Sequence, residues 1–171
     1  MYSILNKRGT AMKKFNLTDL LIFIVSTELV GAVSALIAGN FGILYIELLK
    51  PPFSPPSFIF PIVWAILYAI MGYSAHLIFS EEYKIDNKNT ALGFYVIQLT
   101  LNFLWSILFF RFKLYLISII VAVLLFATIW AMILSFRKVK PFAALINIPY
   151  LIWTAFSIYL TIGICNLNTI P

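Results

Sequence analysis

Five apolar stretches, separated by short polar or proline-rich segments, fill most of this chain of 171 residues. The stretches cover residues 17–38, 58–79, 91–110, 114–136 and 142–165. A helix rises ~1.5 Å per residue, so roughly 20 apolar residues cross a ~30 Å hydrocarbon core. Each stretch reaches that length. The pattern therefore predicts an all-α integral membrane protein, a single domain built as a bundle of five transmembrane helices.

The segments between the stretches differ in character. The first, residues 39–57, is the longest, and its part 50–56 contains four prolines. Proline lacks an amide donor and restricts the residue before it, so this part is predicted to be stiff and extended. Two interpretations stay open for it, a rigid spacer or a lid over a cavity between helices. The charged segment 80–90 is interpreted as a solvated loop, and Pro149 predicts a kink in the fifth span.

Composition and charge narrow the class of protein further. Hydrophobic residues make up 63% of the chain and charged residues 11%, which excludes a water-soluble domain of this size. The net charge of +6 does not indicate a nucleic-acid partner, because the basic residues lie at the ends of the spans and not in one patch. With the N-terminus inside and the C-terminus outside, nine basic residues lie inside and three outside, as the positive-inside rule favours. The inner set is Lys7, Arg8, Lys13, Lys14, Lys84, Lys88, Arg137, Lys138 and Lys140, and the outer set is Lys50, Arg111 and Lys113.

Polar and aromatic side chains recur at helical spacing on three spans. The stripes are Pro61, Trp64, Tyr68, Met71 and Ala75 on the second span, Tyr95, Gln98, Asn102 and Trp105 on the third, and Tyr150, Trp153, Thr154, Ser157 and Thr161 on the fifth. Because amides are costly against lipid, Gln98 and Asn102 are predicted to point into the bundle. They either hydrogen-bond other helices or line a cavity. Aromatic rings beside a few polar groups suit a large, flat, mostly apolar ligand.

Two further side chains are unusual inside a membrane span. Glu28, near the middle of the first span, is interpreted as a protonated group bonded to a neighbouring helix, or as a contact for a cationic ligand or a proton relay. His76 is interpreted as a hydrogen-bonding residue, with axial ligation of a metalloporphyrin as the alternative. The chain has no Cys/His metal spacing, no nucleotide-binding glycine motif and no Ser/His/Asp set, so neither a metal site nor hydrolytic chemistry is predicted.

Four ordered motifs carry a resemblance to a known family. They are YIELLKPPFSPP at 45–56, FPIVWAILYAIMG at 60–72, QLTLNFLWSILFF at 98–110 and PYLIWTAF at 149–156, followed by Leu167 and Asn168. Together they resemble the translocator protein / tryptophan-rich sensory protein family, also called TspO/MBR. The similarity extends in order from Gly31 to Asn168.

This resemblance implies a five-helix bundle, commonly a homodimer, with a ligand pocket closed by the first loop and lined by the second, third and fifth helices. The implied ligands are tetrapyrroles such as protoporphyrin and haem, steroids such as cholesterol, and benzodiazepine or isoquinoline-carboxamide drugs. No obligatory cofactor is predicted, and the expected location is a prokaryotic cell membrane. By motif position the lining would be Tyr45, Pro55, Trp64, Tyr68, Gln98, Asn102, Trp105, Trp153 and Ser157.

Three functions are compatible with this set of features. The first is a membrane sensor or carrier that binds porphyrins and other flat lipophilic ligands. The second is an enzyme that degrades bound porphyrin in the light, for which the indoles of Trp64 and Trp153 would be the catalytic groups. The third is a structural or assembly partner of other membrane proteins, without small-molecule affinity.

Overall fold

A computed structural model of the chain describes residues 16–39, 41–81 and 85–169. These residues form helices and connecting turns, and five of the helical segments are long and apolar enough to cross a membrane. The predicted all-α, five-span membrane bundle is thus confirmed. The helices are α1 (Leu17–Ala38), α2 (Phe41–Glu47), α3 (Ile59–Ser80), α4 (Ile85–Ser106), α5 (Tyr115–Val139), α6 (Pro141–Leu145) and α7 (Ile148–Thr169). A π-helical segment, Ile107–Arg111, continues α4 to the end of the third span.

The bundle is held by four main helix pairs, in which α1 packs on α3, α4 on α5, α5 on α7 and α5 on α6. The core lies among α3, α4, α5 and α7 and includes the fully buried side chains of Met71, Ile129, Phe136 and Tyr150. The opposite faces carry exposed aliphatic residues, which in a membrane contact the acyl chains. The exposed set on α1 is Leu17, Leu21, Ile22, Val25, Leu29, Val33, Leu36 and Ile37.

The first connection is partly helical. Residues 50–56 lie outside any helix, as their prolines predict, but α2 precedes them and was not predicted. The C-terminus of α2 is capped by Lys50, whose Nζ donates hydrogen bonds to the backbone oxygens of Tyr45, Ile46 and Leu48. A cation at this end compensates the unpaired carbonyls and the negative end of the helix dipole.

The predicted loop at 80–90 is wrong over its second half, because α4 already begins at Ile85. Asp86 lies in the first turn of α4, where a negative charge favours the helix dipole. The hydroxyl of Thr90 donates to the backbone oxygen of Asp86, 2.9 Å away, and so does not compete with the helix. The polarity of the side chains indicates where the hydrocarbon core of the membrane ends, but the helix α4 extends past that boundary.

The fifth span is interrupted close to the predicted position. The chain turns at Ile146 and Asn147, between α6 and α7 and just before Pro149. Proline has no amide hydrogen to continue the bonding of the preceding helix. The side chain of Asn147 satisfies the backbone at this break, since Nδ2 donates to the Ala143 oxygen at 2.7 Å.

Basic residues gather at both ends of the bundle. At one end, Lys140 forms a 3.0 Å ion pair with Glu81, and Lys88 donates to the Phe79 backbone oxygen at 2.7 Å. Lys50, Arg111 and Lys113 lie at the other end, which we call the α2 end. Of the predicted inner set, Lys7, Arg8, Lys13, Lys14 and Lys84 lie outside the described residues.

Candidate functional site

A largely apolar cavity of about 120 Å³ lies between α1, α3 and the end of α4. We call it the inner cavity. The rings of Trp64 and Tyr68 on α3 form one wall, with centroids 5.7 Å apart, and Trp105 and Phe110 form another. Asn102 adds an amide. The full lining is Gly31, Ser34, Ala35, Ala38, Phe60, Pro61, Trp64, Tyr68, Asn102, Trp105, Ser106 and Phe110.

The wall supplied by α1 was missed by the sequence reasoning, which assigned the pocket to the second, third and fifth spans. Gly31, Ser34, Ala35 and Ala38 follow one another at i, i+3, i+4 and i+7, a stripe of small residues on one helical face. That spacing was visible in the sequence and could have identified the wall. Ser34 also hydrogen-bonds Ser106 across the interface between α1 and α4.

Gln98 and Asn102 point into the bundle as predicted, and both open alternatives for them occur. The Tyr150 hydroxyl donates to Gln98 Oε1 at 2.7 Å, and Asn102 Nδ2 donates to the Tyr150 oxygen at 3.1 Å. Both amides are buried, and only Asn102 also lines the inner cavity. Gln98 is therefore a packing residue that orients Tyr150, while Asn102 joins this network to the cavity.

Three donors near the cavity lack an acceptor within the described part of the chain. They are Gln98 Nε2, Trp105 Nε1 and Trp153 Nε1, and each of these atoms is buried. A buried N–H without a partner costs about 1–3 kcal/mol, and most buried polar atoms in proteins avoid this. Trp105 is the informative case, because its ring lines the inner cavity. A ligand with acceptor oxygens or nitrogens would satisfy this N–H if a shift of the ring brought the two together.

Tyr45 and Ser157 lie apart from the inner cavity and line a second, smaller one. This α7 cavity of about 20 Å³ is bounded by α2, α3, α7 and the end of α4. Phe60, Trp105 and Phe110 border both cavities, so these three rings form a partition between them. The α7 cavity is lined by Tyr45, Phe60, Trp105, Phe109, Phe110, Ser157, Leu160, Thr161 and Ile164.

A third cavity of about 220 Å³ lies at the α2 end, where it separates α2 from the start of α5. We call it the outer cavity. It has charged residues of both signs, Glu47 and Lys113, beside apolar ones. Phe109 and Phe110, on the π-helical segment, form its inner wall. Its lining is Leu44, Glu47, Leu48, Phe109, Phe110, Lys113 and Tyr115.

The proline-rich loop is fastened to α7 at several points. Asn168 accepts from the Leu49 amide at 3.1 Å and donates to the Leu49 oxygen at 2.9 Å, and the Tyr159 hydroxyl donates to the Pro52 oxygen at 2.9 Å. Pro51 packs where a side chain on Gly163 would stand, 2.5 Å from an added Cβ. This close approach is possible only because position 163 has no side chain.

Two predicted lining residues, Pro55 and Trp153, border none of the three cavities and support the site from outside. The Tyr45 hydroxyl donates to the Pro55 backbone oxygen at 3.1 Å, so Pro55 contributes an acceptor that fixes the loop. Burial raises the pKa of Tyr45 above its ordinary value, partly offset by a hydrogen bond with Ser54, so the phenol stays protonated and keeps donating. Trp153 packs edge-to-face on Phe60, with centroids 6.0 Å apart, and lines neither the inner nor the α7 cavity.

Glu28 and His76 stand outside the three cavities. Glu28 is half-buried on α1, and in the described residues no side chain hydrogen-bonds it, so its predicted bond to a neighbouring helix is not seen. His76 is buried, with Ser80 Oγ 3.3 Å from its Nε2, which agrees with the hydrogen-bonding interpretation.

Comparison with known proteins places these features in a family. The model of the TspO/MBR family matches residues 22–167. The chain is 36% identical to the tryptophan-rich protein TspO of Chlorobaculum tepidum over 72% of this chain and 78% of that protein. It is 36% identical to the translocator protein of Ovis aries over 66% of this chain and 68% of that protein. It is 30% identical to the tryptophan-rich sensory protein of Cereibacter sphaeroides over 72% of this chain and 76% of that one.

Five apolar spans and an aromatic cavity between them define a polytopic membrane protein of the helical-bundle class. The family model matches most of the chain, so the protein family can be assigned. The chain belongs to the TspO/MBR family, as its motifs indicated.

Proposed function

We propose that this protein is a membrane sensor or carrier that binds porphyrins, such as protoporphyrin or haem, and other flat lipophilic ligands inside its helical bundle. One observation carries the proposal. The inner cavity is walled by aromatic rings, among them Trp105, whose buried N–H has no acceptor within the described residues. Flat rings stack on a macrocycle, and an unpaired donor favours a ligand that carries acceptors.

The sizes of the cavities indicate how such a ligand would enter. Ligand pockets typically measure ~300–1,000 Å³, and none of the three cavities described above reaches that range. The partition of Phe60, Trp105 and Phe110 is what divides the space. We infer that a macrocycle displaces these rings and joins the inner cavity to the α7 cavity, which brings Tyr45 and Ser157 to the same ligand.

The proposal predicts saturable quenching of tryptophan fluorescence when protoporphyrin is added to the purified protein in detergent. Three of the four tryptophans, Trp64, Trp105 and Trp153, lie at or beside the site, whereas Trp130 is on the exposed face of α5. Replacing Trp64 and Trp105 together with phenylalanine should remove most of the quenching and weaken binding about tenfold, because both indoles line the inner cavity and stacking area is lost.

Trp130→Phe is the matched control and should keep both the affinity and most of the signal. Binding that does not saturate, or that is equally strong in the Trp64→Phe, Trp105→Phe variant, contradicts an intrabundle porphyrin site.

The loop fastened to α7 predicts an effect on ligand release. Asn168→Ala removes two hydrogen bonds to Leu49 and should accelerate protoporphyrin dissociation about fivefold, the kinetic equivalent of ~1 kcal/mol. Stopped-flow displacement by excess competitor measures the rate. Asn166→Ala, an exposed amide two positions away, is the control and should leave the rate unchanged. Equal rates in the wild type and the Asn168→Ala variant would show that the loop is a spacer and no lid.

A further inference from the structure

The α2 end of the bundle carries three cations, and two of them are engaged by the backbone. Lys50 Nζ donates to three carbonyls of α2 and the residue after it, and Arg111 Nη1 donates to the Ile37 oxygen at 3.2 Å. Lys113 is different, since no residue in the described ranges forms a hydrogen bond or ion pair with its ammonium. It lines the outer cavity.

Glu47 lines the same cavity, yet it does not pair with Lys113 in the described structure. The backbone at Lys113 has φ +53°, a left-handed conformation that costs a residue with a Cβ free energy and tends to persist where function requires it. Lys113 lies in the turn just after the π-helical segment. The end of that segment is closed by a hydrogen bond from the Phe112 amide to the Ile107 oxygen, 3.2 Å long. π-Helical segments are themselves frequent at functional sites.

The outer cavity is separated from the proposed ligand site only by a shared wall of aromatic rings. Phe110 borders all three cavities, and Phe109 borders two of them, the outer and the α7 cavity. The two rings contact each other edge-to-face with centroids 4.8 Å apart, and Phe109 stacks on Trp105 at 5.3 Å. A ligand that displaces Phe110 from the inner side therefore opens a path to Lys113.

We propose that the outer cavity receives the carboxylate end of an amphiphilic flat ligand, with the Lys113 ammonium as the group that recognises it. This inference rests on the proposed function and narrows it to ligands that carry an anionic edge. The cavity of about 220 Å³ holds several waters besides a carboxylate, since each water takes ~30 Å³, so the anion stays hydrated. Glu47 opposes the anion and limits its affinity.

The test compares protoporphyrin IX, which has two carboxylates, with its dimethyl ester, which has none, by fluorescence titration in phosphatidylcholine nanodiscs. Lys113→Met should weaken protoporphyrin IX binding about threefold to tenfold and leave the ester unchanged, because only the diacid loses a charge-assisted contact. Lys113→Arg should restore the preference for the diacid. Glu47→Gln should tighten diacid binding about twofold to threefold, since a like charge is removed.

Lys138→Met makes the same change in net charge at the opposite end and should alter neither affinity. An unchanged ratio of diacid to ester affinity in Lys113→Met overturns the proposal, and so does an equal loss for both ligands, which would indicate packing. A lipid phosphate is the other oxyanion that this lysine could bind. If wild-type preference for the diacid disappears in phosphatidylglycerol nanodiscs, the site belongs to the lipid and the inference is wrong. Failure of both porphyrins to bind the wild type refutes the proposed function itself.

Discussion

Gly72→Ala is expected to lower the free energy of unfolding by about 1–3 kcal/mol, the usual cost of an oversized group in a packed interface. A Cβ at position 72 would stand 2.7 Å from the Ile24 Cα and 2.8 Å from the Phe23 oxygen, both backbone atoms of α1. Backbone cannot rotate away as a side chain can, so α1 must move off α3. Close approach of helices at small residues is a main source of stability in membrane bundles. Thermal denaturation in detergent measures the loss.

Gly93→Ala is the matched control for this substitution. A Cβ at Gly93 meets nothing within 4 Å, so only the higher helix propensity of alanine acts there, and stability should stay equal or rise slightly. Equal melting temperatures for Gly72→Ala and the wild type would contradict the tight contact between α1 and α3.

The contact between α1 and α3 matters for function because both helices line the inner cavity. The Tyr68 ring of α3 packs directly on Gly31 of α1, where an added Cβ would stand 2.3 Å from the ring. A shift of α1 changes the width of the cavity directly. Gly72→Ala should therefore also weaken porphyrin binding in the fraction of protein that stays folded.

The helical fold could be predicted from the sequence because length and apolarity alone decide whether a segment crosses a bilayer. The ends of the helices could not. α4 begins at Ile85, within a charged segment, and α2 forms in the first connection, where the sequence predicted only that residues 50–56 are extended. Hydropathy reports the membrane boundary, whereas a helix ends where its backbone hydrogen bonds are capped. Lys50, which caps α2, carried no signal in the hydropathy pattern.

The candidate site was only partly predictable for a related reason. Helical periodicity placed Trp64, Tyr68, Asn102 and Trp105 on inward faces, and the structure brings these four to one cavity. Periodicity does not state which inward faces meet. Gln98 is consequently held by Tyr150, and Ser157 lies on the far side of the partition.

The aromatic wall between the outer cavity and the α7 cavity lies on a local irregularity of the backbone. Phe109 and Phe110 line both of these cavities, and both residues belong to the π-helical segment. The sequence offers no simple signal for such a segment, so neither the outer cavity nor its link to the inner one was expected.

Ala35→Phe is expected to weaken protoporphyrin binding at least about tenfold, which corresponds to ~1.4 kcal/mol. Ala35 lines the inner cavity at its exposed edge, so a larger side chain can be added there without breaking the core. Helical side chains lean toward the preceding turn, which directs the phenyl ring over Gly31, another lining residue. A ring in that position takes up much of a cavity of about 120 Å³ and competes with the ligand for Trp64 and Tyr68.

Ala32→Phe separates occlusion of the cavity from a general effect of a large residue on α1. Ala32 is exposed on the same helix and does not line the inner cavity, so the same substitution there should leave affinity within about twofold of the wild type. Both variants should also keep the wild-type melting temperature within a few degrees, because neither position is buried. If Ala35→Phe and Ala32→Phe bind protoporphyrin equally well, the ligand does not occupy the space between α1 and α3, and the site must be sought in the α7 cavity and under the proline-rich loop.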